Sequence, residues 1–180
     1  MKVKKFEQKV EHGKRVAEKS FSEVFKSMQL LNFCTLYYDF DFDKEMIIAY
    51  NANVTDYNNV CLESKEIFLQ EEERILNVYR FSCEESAKEF PTRAKMKMLT
   101  FKPKRLSDWD IALQNATDAI EVCLVLFLHE FINVMNPSME DIALWWRRMK
   151  GYAEECYSNG MKDDFVIKYF KDQIDLEITE

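Results

Sequence analysis

The stretch Leu36-Tyr37-Tyr38-Asp39-Phe40-Asp41-Phe42-Asp43 alternates, with Tyr38, Phe40 and Phe42 on one side and Asp39, Asp41 and Asp43 on the other. A period of two marks a strand with one buried and one wet face. Read that way, it makes the chain an α+β protein. Asp43-Lys44-Glu45 becomes a turn and residues 46–50 the return strand of a hairpin. Residues 51–59, rich in Asn and Asp, read as loop, and 71–73 as an exposed turn of three glutamates. Residues 75–81 read as another strand, and 95–101 as an edge strand whose lysines discourage pairing.

Outward from this region the period changes to 3.6. Over residues 4–31, Phe6, Val10, Ala17, Phe21, Val24, Met28 and Leu31 form one stripe, with Lys4, Lys5, His12, Arg15, Lys19 and Lys26 opposite. Gly13 lies inside that helix and weakens it by about 1 kcal/mol relative to Ala, enough to suggest a kink. Ser82, with Glu85 three residues on, caps a short helix to Phe90. Ser107 to Asp110 suggests the start of a helix running to Asn136, apolar on every side from Val122 to Leu128. Ser138 and Asp141 cap the next helix, with Ile142, Trp145, Met149, Tyr152 and Cys156 as its stripe. Ser158-Asn159-Gly160 ends it, and a last helix covers 163–175. The expected fold is a small antiparallel sheet (33–101) between a long N-terminal helix and three C-terminal helices, in one domain spanning 1–180.

Composition excludes several classes. At 180 residues and 47% apolar, the chain can bury a core and is not a disordered polymer. Three glycines, each isolated, leave no phosphate-cradling loop. Five cysteines without close pairs argue against a zinc site and fit a reducing compartment. Two histidines make Ser/His/Asp chemistry a poor fit, and His129-Glu130-Phe131-Ile132-Asn133 is not HExxH. The N-terminal residues lack a signal-peptide apolar run, and the longest uncharged apolar run, 122–128, is far below the roughly 20 residues a membrane span needs. A cytoplasmic protein without membrane contact, cofactor or metal is expected.

The net charge of −7 is unevenly spread: residues 1–30 sum to +4 and the rest to −11. Three local features could carry function. Asp39, Asp41 and Asp43, about 6.6 Å apart on a strand, are too spread to share one ion directly. They suit a solvated edge, or an acidic face that occupies a partner's basic site. Lys95, Lys97, Lys102, Lys104 and Arg105, with Lys88 and Arg93 nearby and Phe90 and Phe101 interleaved, resemble in composition a single-strand nucleic-acid groove, or else neutralise an acidic body. Trp146 borders the apolar stripe of its helix beside Arg147, the residue types of interface anchors. The leading expectation is a noncatalytic inhibitor or antagonist that masks a protein partner. A nucleic-acid-associated protein using Lys95–Arg105 is the first alternative, and a small carboxylate- and metal-dependent nuclease the second.

Overall fold

The computed structural model describes residues 2–158, with side chains from Val10 to Tyr157. The elements are α1 (Lys2–Asp39), α2 (Lys44–Glu63), α3 (Lys65–Tyr79), α4 (Cys83–Glu89), α5 (Thr92–Met98), α6 (Leu106–Met135), α7 (Met139–Ala153) and a closing π turn (Glu154–Ser158). No strand is present among the described residues, so the expected α+β fold with its sheet is replaced by an all-helical one. The helix read at 163–175 and the cap residues Asn159 and Gly160 lie outside the described residues.

The alternating stretch is the last turn of α1 and its exit. Phe42 N–H donates to the Leu36 carbonyl at 3.1 Å, and Asp41 sits in the left-handed region at φ 56°. This bond closes the helix end around a left-handed residue and is one residue wider than the Schellman pattern. Leu36 and Phe42, the pair that such an end brings together, are both buried. Asp43 then caps α2, its carboxylate accepting from Met46 N–H at 2.8 Å. The alternation therefore comes from a helix-to-helix connection that buries Phe42 and half-buries Phe40.

The other expected strands fail for related reasons. In α2, Ile47, Tyr50 and Val54 are buried at helical spacing, so the 46–50 strand and the 51–59 loop are one helix. Two of its four asparagines are held from outside, Asn53 donating to Glu130 at 2.6 Å and Asn51 accepting from Gln29. The 75–81 segment ends α3, which stops at Arg80 in the left-handed region. The supposed edge strand 95–101 is α5 and the link after it. Helix α1 runs through Gly13, where an added Cβ would meet only Ile111 Cδ1 at 3.8 Å. Helix α6 begins at Leu106 after Arg105, so Ser107 lies inside its first turn and does not cap it. Ser138 and Asp141 do form the capping box of α7.

Helix α6 is the axis, buried on all sides from Cys123 to Leu128. By length and composition it could cross a membrane, but 56% of its most apolar window is buried inside the fold, as in a core helix. All seven of the described α-helices contribute to one buried cluster. A polar chain runs through it: Trp145 Nε1–H donates to Asn32 Oδ1 at 2.9 Å, Asn32 Nδ2 to the Tyr50 hydroxyl at 3.1 Å, and that hydroxyl to the Phe127 carbonyl at 2.6 Å. It ties α7, α1, α2 and α6 together through three consecutive hydrogen bonds.

Candidate functional site

An open-sided groove of about 670 Å³, within the usual size of ligand sites, lies between α1, α2, α3 and α6. Helix α1 supplies Phe21 and Phe25 one turn apart, and α6 supplies Val122 and Leu126 in the same relation. The end of α2 brings Leu62 and the start of α3 brings Phe68. Leu62 is 76% exposed, unusual for a leucine beside an apolar wall. Phe21 and Phe25 stack at 6.3 Å, and Phe25 meets Phe127 of the core at 6.3 Å, so this wall is anchored. Lys26 and Lys65 line the groove and are solvent-exposed; neither is ion-paired among the described residues.

Behind the α2 wall lies a polar cluster that the sequence did not reveal. The Tyr57 ring lies flat on His129, centroids 3.5 Å apart. Glu71 Oε1 is 3.0 Å from His129 Nδ1, a close polar contact without the alignment of a hydrogen bond. Arg74 donates to both Glu71 oxygens, and His129 Nε2 pairs with Asn133 at 3.1 Å. Burial opposes ionisation of Glu71, but His129 and Arg74 outweigh it and hold its carboxyl down at about 2. Cys61, which lines the groove, sits beside the Tyr57 hydroxyl, and burial pushes its thiol up. A nucleophilic thiol needs the reverse shift. The cluster clamps α2, α3 and α6 together, and among the described residues no three His, Cys, Asp or Glu side chains gather as ligands for a metal ion.

The sequence-derived candidates are dispersed. Asp39 is held by Arg148 Nε and the Tyr152 hydroxyl, each at 2.9 Å, Asp41 forms the turn, and Asp43 caps α2. They are neighbours in one connection, not a shared acidic face. Lys95 is only 4% exposed: its ammonium donates to the Ala87 carbonyl at 2.7 Å and to Thr117 Oγ1 at 3.0 Å, closing the end of α4. Burial pulls its pKa down. Phe90 is buried as well. Lys97, Lys102, Lys104 and Arg105 are exposed around the α5–α6 link, and Lys19 sits 5.0 Å over Phe101 beside them. Lys88 is taken up by Glu84 and Glu85. Trp146 is 7% exposed, packed against Phe81 and Phe90 with Lys150 over its ring. It shares a smaller hollow, about 340 Å³, with the exposed Arg147 and Arg80.

Of the groove's walls, only the α1 and α6 stripes were legible beforehand. The α2 and α3 contributions centre on Leu62 and Phe68, within residues 60–70, where the apolar run is too short to tell helix from strand. Comparison with family models, curated proteins and solved structures returns no match.

Proposed function

We propose that the chain is a noncatalytic binding protein that engages a protein partner through the groove between α1, α2, α3 and α6. The observation that carries this reading is the open apolar groove itself, with exposed Leu62 on its wall and two lysines lining it that carry no ion pair among the described residues. An apolar centre with a charged rim is the anatomy of protein interfaces. The raised thiol of Cys61 is in keeping with a binding role, since it disfavours thiolate chemistry at this wall. Masking a partner's basic site with Asp39, Asp41 and Asp43 draws less support, because two of the three carboxylates are engaged within the chain.

The test is affinity capture from the native cell with the wild-type chain and with Leu62→Asp, which alters a side chain the fold does not need buried. A protein retained by the wild type and lost by the variant is expected. Equal capture by both would place binding elsewhere.

A second reading has its own observation. Lys97, Lys102, Lys104 and Arg105 are exposed and carry no ion pair among the described residues, so they are available to phosphates. Nucleic-acid binding through them would weaken steeply with salt. A low-salt gel shift with single-stranded and duplex probes, abolished by reversing these four charges, would establish it; no shift at micromolar protein removes it.

A further inference from the structure

The groove's dimensions and rim point to one kind of occupant. From Phe21 to Gln29 its α1 wall covers nine residues, a rise of about 12 Å at 1.5 Å per step. Apolar anchors at i, i+3 or i+4, and i+7 of a partner helix span roughly 10.5 Å, so two turns fit this length. The groove is open along one side. A fatty acyl chain lying there would leave that side wet, whereas ligand pockets enclose roughly 70–90% of their ligand. An amphipathic helix buries its apolar stripe and keeps its polar face in water, which an open groove allows. The lysines decide the flanking charge. Lys26 on α1 and Lys65 at the start of α3 lack acidic partners among the described residues, so carboxylates beside the stripe would meet them.

We infer that the groove receives an amphipathic α-helix of a protein partner, with apolar anchors over two turns and acidic residues flanking them. The inference rests on the reading of this groove as the binding surface and adds the shape and charge of what enters it.

The experiment is selection of a random 16-residue peptide library displayed on phage against the full chain, followed by fluorescence anisotropy of the enriched peptides. Enriched peptides are expected to carry the i, i+3 or i+4, i+7 apolar spacing with flanking Asp or Glu, and to gain helical circular dichroism on binding. Leu62→Asp should weaken them on the order of tenfold or more. Lys26→Glu with Lys65→Glu should weaken them on the order of tenfold and remove most of the salt dependence. Three results would overturn the inference. One is peptides without that spacing, or indifferent to these variants. Another is displacement of the peptides by dodecanoate at comparable affinity. The third is sedimentation showing self-association that Leu62→Asp abolishes, which makes a second copy the occupant. If cellular capture still depends on Leu62 while these peptides fail, the binding surface stands and the assigned occupant is wrong.

Discussion

Asn32 stands at the junction of the buried polar chain, accepting from Trp145 and donating to Tyr50. Replacing it with leucine of similar size strands the indole N–H, a buried donor that then has no acceptor. The loss should be about 2–3 kcal/mol, read as a lower urea midpoint with an unchanged m-value. Glu71 offers a different handle. Its carboxyl is held at about 2 in the fold against an ordinary 4.5, so its ionised form stabilises the native state. That contribution is fully present above about pH 4.5 and fades as pH falls toward 2. Urea midpoints between pH 6 and 2.5 should therefore drop along an acid limb that Glu71→Gln flattens; an unchanged limb would mean Glu71 is not held this way. None of this was legible from residues 71–73 as a run of glutamates. The i, i+3 step to Arg74 is visible in the sequence, but the approach of His129 from another helix is not.

Among elements, those with punctuation at their ends were the readable ones. Helix α7 announces itself through Ser138 and Asp141, α4 through Ser82, and the middle of α6 through an apolar run that no solvated helix tolerates. The strands were misread where a short window fits two periods. Over 36–43, both periods place Phe40 and Phe42 inward, whereas the exposed Tyr38 and the left-handed Asp41 fit only the helix end. The Asn-rich face of α2 has weak helix propensity and is overridden by Ile47, Tyr50 and Val54 in the core, with Gln29 and Glu130 engaging its amides. Because α2 and α3 were unread as helices, two walls of the groove could not be assembled. The α1 exit carries its own prediction. Asp41 holds φ 56°, which glycine adopts without a Cβ clash, so Asp41→Gly should raise stability by about 0.5–1 kcal/mol in urea unfolding. A loss of similar size would show that its carboxylate matters more than its backbone.

Across the whole molecule, folding sorts the charges that the sequence merely lists in order. Arg15 turns to Glu11, Lys19 lies 3.7 Å from Glu23 and 5.0 Å over Phe101, and His12 meets Asp108 of α6, so part of the described basic arm is answered within the fold. Lys95 disappears into the interior, and Trp146 becomes packing. Among the described residues, the groove with its two lysines stays available on one side and the Lys97–Arg105 link on another, besides the hollow of Arg80 and Arg147. Leu62 and Leu106, 76% and 82% exposed, mark these two surfaces and tolerate substitution for the same reason. A photo-reactive benzoylphenylalanine placed at 62 or at 106, irradiated in the native cell, compares them directly. Cross-links from position 62 to a protein, with none from 106, are the predicted result. Cross-links from 106 alone, to protein or to nucleic acid, would contradict binding through the groove.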